Sequence, residues 1–225
     1  KKEFKKKSFN NSQNQSNDRY KNTDNSSNNR NKPKNVTKDK LKEIKTKTSI
    51  SEASMQGMTI QVSSRQTAKK QMLIEVNVMG NVMQKTVINP NKGYNEIQGQ
   101  RMDMKEQELQ NRLKDAAIFP EMEVDPNQIF IEGIVVVDGK DAYEIKWSDN
   151  KTNFYAVDDF LKLQTLETME MQGQVQSSKT SFSNYKTIEG IRFPHTIQQD
   201  MGPQKIDFKV KTIFLNDQID DNLFE

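Results

Sequence analysis

Alternating apolar and polar residues, separated by tight turns, constrain the fold of this chain most strongly. The pattern is clearest in residues 185–197, where Glu189-Gly190 is typical of a two-residue turn. Beyond the turn, apolar or aromatic side chains recur at every second position: Ile191, Phe193, His195 and Ile197. This period predicts a β-hairpin that leads into a half-buried strand. Pro194 cannot donate a ladder hydrogen bond, so it favours a sheet edge or a strand start.

The same alternation recurs along the chain and predicts ten or eleven strands. Residues 129–137 differ, because they are nearly all apolar, as expected for a central strand that is buried on both faces. The other predicted strands include residues 58–62, 72–78, 82–88, 94–98, 143–147, 153–157, 161–171, 174–182, 192–199 and 205–215. Strands of this length with tight connections predict a large, strongly bent antiparallel sheet.

Two segments have a helical pattern. Residues 37–44 predict one or two helical turns, with Thr37 as the N-cap. Residues 102–117 predict an amphipathic helix, with an apolar stripe of Met102, Leu109, Leu113 and Ala116. The predicted fold class is therefore α+β, mainly β: a strongly curved antiparallel sheet that forms an open half-barrel, with one or two helices on its concave face.

The first 36 residues differ in composition from the rest. Residues 1–35 contain ten Asn, ten Lys or Arg and three acidic residues, which gives them a net charge of +7, whereas the whole chain carries +3. Such a segment cannot bury enough apolar surface to offset the cost of ordering it. We therefore expect a disordered tail at residues 1–36 and one domain at residues 37–225. The tail could contact nucleic acid or anionic lipid, but without an aromatic platform an inert linker is favoured.

Nothing in the sequence predicts catalysis. The chain contains no cysteine and a single histidine, His195, which lacks partners at the spacing of a zinc site or a catalytic triad. Acidic pairs occur in turns or near the C-terminus, where Asp is favoured for its backbone hydrogen bonds: Asp138/Asp141, Asp158/Asp159 and Asp220/Asp221. We therefore predict no enzymatic activity, no cofactor and no metal, and no apolar run is long enough to span a membrane.

Eleven methionines are spread over the predicted strands and helix. They could simply fill gaps in a core, or they could form an adaptable apolar surface for hydrophobic ligands. The second interpretation predicts an apolar cavity between sheet and helix. Its candidate lining residues are Met58, Ile60, Val62, Met72, Ile74, Val76, Leu109, Leu113, Tyr143, Ile145, Trp147, Phe154, Leu161 and Leu163.

Three segments in order, residues 137–146, 153–163 and 185–197, resemble the second half of the LolA/LolB-like domains that sort outer-membrane lipoproteins. Further motifs resemble one branch, the C-terminal domain that follows M16 (insulinase-like) zinc peptidases in Bacteroidetes-type bacteria. These motifs are residues 55–58, 79–85, 91–94 and 98–100, together with Asp221 and Phe224. The resemblance covers residues 38–225 and departs from the branch at residues 29–35, where an Ala-x-Gly-Gly motif is usual.

The resemblance implies an unclosed barrel whose cavity holds acyl chains, and export to the periplasm or the outer membrane. It carries over no catalytic residue. Two functions follow as hypotheses. The chain binds a hydrophobic ligand such as a lipid, a lipoprotein acyl chain or a peptide, or it is a structural accessory domain of a zinc peptidase that acts in cis or in trans.

Overall fold

A computed structural model describes residues 36–225, except 172–173 and 202–203, and excludes the side chains of 169–175 and 201–204. The predicted tail therefore lies outside the described residues, apart from Val36. The strands are β1 Thr46–Met55, β2 Met58–Thr67, β3 Met72–Val78, β4 Asn81–Asn89, β5 Lys92–Ile97, β6 Gln100–Asp103, β7 Phe130–Val137, β8 Lys140–Ser148, β9 Lys151–Ala156, β10 Lys162–Met171, β11 Gln174–Ile188, β12 Ile191–Met201 and β13 Gln204–Leu215. The helices are α1 Lys38–Glu43 and α2 Glu106–Asp115, and 3-10 turns lie at Pro120–Met122, Pro126–Gln128 and Asp221–Phe224.

All thirteen strands form one open antiparallel sheet, in the order β6-β5-β4-β3-β2-β1-β13-β12-β11-β10-β9-β8-β7. Every neighbouring pair is a hairpin except β1 and β13, which join the first and last strands of the chain. The α+β, mainly β half-barrel prediction is confirmed, with two or three more strands than expected. The free edges of the sheet are β6 and β7.

The turn predicted at Glu189-Gly190 is confirmed. Glu189 has φ 49° and Gly190 has φ 85°, the left-handed pair that matches the twist of a two-residue hairpin. Pro194 lies inside β12, opposite Tyr185 of β11. The pairing of β12 with β13 runs only over residues 196–201, so the proline lies outside that ladder, and the prediction of a sheet edge is correct only locally.

The segment 104–129, which we call the crossing segment, joins the two edge strands. It contains α2 and must pass over one face of the sheet, which we call the inner face. Its backbone begins beside β5, where the Met104 amide donates to the Gly93 carbonyl oxygen at 2.8 Å. A methyl group on Gly93 would lie 2.8 Å from the Met104 sulfur, so a larger residue there would force the Met104 side chain to shift.

Two sequence predictions were wrong in detail. The helix predicted over residues 102–117 begins only at Glu106, because residues 100–103 continue the sheet as β6. The strand predicted over residues 129–137 is not central: β7 pairs with β8 alone and forms an edge. A continuous apolar run does not distinguish a strand buried on both faces from an edge strand with apolar side chains facing solvent.

The crossing segment closes the core of the inner face. Leu109 of α2 packs with Met72 and Ile88, and Ala116 is fully buried in the same cluster. Further along, Ile118 and Phe119 pack in a second cluster with Ile44, which follows α1, and with Ile191, Phe193 and Leu215 of the sheet. On the opposite, outer face, the C-terminal turn inserts Phe224 among Leu73, Val87 and Tyr94.

Candidate functional site

The predicted cavity residues on β2 and β3 share the inner face. Val62 lies opposite Val76, and Met72 lies opposite Gln66, so alternate residues on both strands point to one side. Leu109 and Leu113 of α2 pack against Met72 and Ile74 on that side. Ile60 is buried and Met58, at the strand end, is 37% exposed. Whether Met58, Ile60, Val62, Met72, Ile74, Val76, Leu109 and Leu113 line a ligand site stays a prediction.

The candidates in the second half of the chain divide between the two faces. Tyr143 lies opposite Tyr155 and Ile145 lies opposite Asn153, and Tyr155 reaches the crossing segment, so these residues face inward. Phe154 instead packs with Val137, Ala142 and Leu163 in a cluster on the outer face. Phe154 and Leu163 therefore do not belong to an inner-face cavity, because a strand sends successive side chains to opposite faces.

Leu161 and Leu163 line a separate pocket of about 330 Å³. The hairpin turns after β7 and β9 and the middle of β11 form its walls, and Asn184 there has φ 54°. Alternation in the sequence could not separate Leu161 from the inner-face candidates. The pairing of β9 with β10 shifts register between Lys162 and Gln164, and such an irregularity is visible only in the structure.

Side chains fill the centre of the inner face. The rings of Phe119 and Phe193 stack with centroids 6.3 Å apart, and Ile118 packs in the same cluster. The sequence pattern does not assign residues 118–119 to the core. No local signal could have shown it, since the contact joins the crossing segment to β12. The inner face is thus not one continuous cavity.

The inner face is open at the β7 end. The side chains of Ile131, Ile134 and Val136 are 65%, 59% and 69% exposed. Ile131 lies opposite Ile145, and Ile134 lies opposite Tyr143, whose ring stacks on Phe160 with centroids 6.3 Å apart. We call this surface the apolar wall; its members are Ile131, Ile134, Val136, Tyr143, Ile145 and Phe160. Such a contiguous apolar patch marks an interaction site more often than isolated exposed residues do.

A polar cluster adjoins the apolar wall. The ammonium of Lys162, at the start of β10, lies 2.7 Å from the Glu121 carboxylate of the crossing segment. The Tyr155 hydroxyl donates to the same carboxylate at 3.0 Å. Three aromatic rings surround the ammonium, with centroids at 5.5 Å for Tyr155, 5.8 Å for Phe182 and 5.9 Å for Trp147. This arrangement places a cation among π faces, a favourable electrostatic environment.

The environment of Glu121 shifts the pKa values of several groups. Burial opposes ionisation of Glu121, but the charge of Lys162 and its hydrogen bonds prevail and lower the pKa of Glu121. Burial, together with the Glu121 charge, raises the pKa of Tyr155 above its usual value. Burial also lowers the pKa of Lys47, on the inner face of β1, to about 8, although Glu121 acts in the opposite direction.

His195 has a local structural contact. It is buried, and its Nδ1 lies 3.0 Å from the Phe193 carbonyl oxygen. Among the described residues, no group of three His, Asp or Glu side chains is arranged to hold a metal ion. Asp159 and Asp220 have structural contacts: Asp159 pairs with Arg192 of β12 at 3.3 Å, and Asp220 caps the C-terminal turn. None of the helices in the described ranges is long and apolar enough to cross a membrane.

No protein-family model matches the sequence, and no curated protein matches it significantly. Solved structures do match the fold. A DUF1329 family protein from Desulfovibrio piger has a TM-score of 0.53 and 13% identity over 83% of this chain and 92% of its own. The LolA superfamily protein NE2245 from Nitrosomonas europaea has a TM-score of 0.53 and 11% identity over 81% and 90%. The comparisons give no support for an association with M16 peptidases. The chain has a LolA-like fold.

Proposed function

We propose that this chain is a non-catalytic protein that binds a hydrophobic ligand, a lipid or a lipoprotein acyl chain, on the apolar wall. The exposure of Ile131, Ile134 and Val136 on an edge strand is the observation that carries the proposal. Transfer of apolar surface out of water contributes roughly 25 cal/mol per Å². A ligand that covers these three aliphatic side chains would therefore gain several kcal/mol before the costs of binding.

The LolA-like fold supports a ligand of this kind. Tyr155, the cross-strand neighbour of Tyr143 in the wall, donates to Glu121 of the crossing segment, so a ligand on the wall would lie close to that segment. A peptide with apolar side chains is a further ligand of the same chemistry. We also propose that the protein acts outside the cytoplasm, in the periplasm or at the outer membrane, on the basis of the fold.

A neutral probe tests the wall directly. We expect Nile red to bind, to increase its emission and to be displaced by hexadecanol with a dissociation constant of ~10 µM, in the affinity range of modest apolar burial. Ile134→Asn and Val136→Asn should each weaken binding several-fold. Phe214→Asn is the matched control, since Phe214 is 52% exposed on β13 and lies opposite Thr48, on the outer face. Absence of displaceable binding, or equal losses in all three variants, would refute the proposal.

The second function remains a structural accessory domain of a zinc peptidase that binds no small ligand. The stacked Phe119 and Phe193 favour it, because they leave no continuous cavity at the centre of the inner face. Sequencing the gene upstream of Lys1 tests this alternative, since a peptidase domain would carry a His-x-x-Glu-His zinc motif. Such a motif, combined with no hydrophobic binding, would establish the accessory role over ligand carriage.

A further inference from the structure

The apolar wall ends at a charged group that is already paired with part of the chain itself. Lys162 on β10 lies beside the ring of Tyr155, the cross-strand neighbour of Tyr143 in the wall, and its partner Glu121 belongs to the crossing segment. The side chains of Lys162 and Glu121 are 22% and 43% exposed, so solvent reaches the pair from the side. A carboxylate that reaches this point from outside the protein could take the position that Glu121 now occupies.

The charges around Glu121 do not balance. Lys162 pairs with Glu121 at 2.7 Å, and Lys47, on the inner face of β1, interacts with the same carboxylate through its charge without contacting it, so two ammonium groups share one carboxylate. Among the described residues, Lys47 has no acidic side chain within 4 Å, and Lys162 has only Glu121. Buried charges are costly unless paired, so this cluster favours one additional anion.

The aromatic rings connect the charged group to the apolar wall. Tyr155, one of the three rings around Lys162, is the cross-strand neighbour of Tyr143 in the wall. Trp147 lies two residues after Ile145 on the same strand. The path from β10 to β7 crosses three strand spacings, about 14 Å. An extended alkyl chain can span that distance with its polar end at Lys162.

We propose that the ligand is an anionic amphiphile, an alkyl chain that ends in a carboxylate or a phosphate, and that its head group binds Lys162 in place of Glu121. The inference rests on the proposed function, because the alkyl chain lies on the apolar wall. Lys162 forms an ion pair with the head group, and the three aromatic rings pack against the first carbons of the alkyl chain. Lys47 supplies the second positive charge that offsets the displaced Glu121.

The test compares three ligands with one alkyl chain: palmitate, hexadecyl phosphate and hexadecanol. Trp147 is the sole tryptophan of the chain and lies beside Lys162, so its emission reports on the head-group site without a label. We expect palmitate and hexadecyl phosphate to bind ~10-fold more tightly than hexadecanol at low ionic strength, which is the scale of one partly buried charge pair. A preference of one anion over the other identifies the head group.

Two variants assign the effect to Lys162. Lys162→Gln should reduce the affinity for both anions to that for hexadecanol. Lys151→Gln is the matched control, because Lys151 also joins a strand to the crossing segment, pairs with Asp115 at 2.8 Å and has a similar exposure of 18%. Equal effects of the two substitutions would overturn the assignment.

Glu121→Gln distinguishes a carboxylate that occupies the anion position from one that serves only as a structural ion pair. If Glu121 occupies the anion position, its removal should raise palmitate affinity about tenfold and leave hexadecanol binding unchanged. Unchanged or weaker palmitate binding would refute the displacement. If the wild-type protein binds hexadecanol as tightly as palmitate, the anionic class is wrong while the apolar site stands. If no ligand binds, the proposed function itself fails.

Discussion

The side-chain amide of Gln66 on β2 donates a 3.0 Å hydrogen bond to the carbonyl oxygen of Ala117. The same amide nitrogen lies within 3.4 Å of the carbonyl oxygens of Asp115 and Ala116. The last carbonyl groups of a helix have no partner inside the helix, and here a sheet side chain supplies one. Gln66 is buried, so it fixes the position at which α2 ends over the sheet.

We therefore expect Gln66→Ala to destabilise the fold. The substitution leaves buried carbonyl groups without a donor, which costs roughly 1–3 kcal/mol. Urea denaturation followed by circular dichroism measures the change. Gln61→Ala is the control, because Gln61 bonds only to the Glu52 carboxylate across the strand pair and is partly exposed. A loss at Gln66 no larger than that at Gln61 would show that α2 does not depend on this contact.

The stack of Phe119 on Phe193 should couple the crossing segment to β12. Each Phe→Ala substitution should cost about 3–5 kcal/mol through the lost burial and the cavity. The two rings should also show a coupling of about 0.5–1.5 kcal/mol in a double-mutant cycle, the value of an aromatic pair beyond its buried area. Additive losses would indicate that each ring packs independently. Substitution of Phe214, exposed on the outer face, should have little effect.

Lys47→Met should stabilise the protein at neutral pH. The folded-state pKa of Lys47 is about 8, below its ordinary 10.5, so between these values the unfolded chain binds more protons and the unfolding free energy rises with pH. The folded state therefore disfavours the charged amine below pH 8. The methionine variant should gain about 1–3 kcal/mol at pH 7, and the gain should shrink towards pH 10.

The pH dependence separates this cause from simple packing. Denaturation of the wild type, of Lys47→Met and of Lys38→Met at pH 7, 8.5 and 10 gives the comparison, since Lys38 is exposed on α1. A gain that does not change with pH would attribute the effect to the methionine side chain and contradict the shifted pKa of Lys47.

Val136→Lys should make the free protein less prone to self-association. β7 is an unpaired edge with three exposed aliphatic side chains, and such edges template pairing with other chains. A lysine on an edge strand opposes that pairing. Light scattering at increasing protein concentration should show a delayed onset in the variant. Phe214→Lys serves as the comparison, because Phe214 lies on β13, which is paired on both sides. An equal delay in that variant would point to net charge alone.

Much of the fold could be predicted because its signals are local. The Glu189-Gly190 turn specifies that β11 and β12 are neighbours, and the left-handed φ values of such turns suit only a hairpin. The same reasoning at other turns gave most neighbouring strand pairs. The alternation also placed Met58, Ile60 and Val62 on one face. Alternation does not show which side of a strand faces the crossing segment, and Phe154 packs on the outer face.

The sequence by itself determined the hairpins, the antiparallel order within each half and the helix that interrupts them. Only the tertiary structure decided that β1 pairs with β13, and this pairing leaves β6 and β7 as the edges. It also decided that the crossing segment brings Glu121 to Lys162. Periodicity and turn residues act over a few positions, whereas these contacts join distant parts of the chain through burial and charge, which no local pattern encodes.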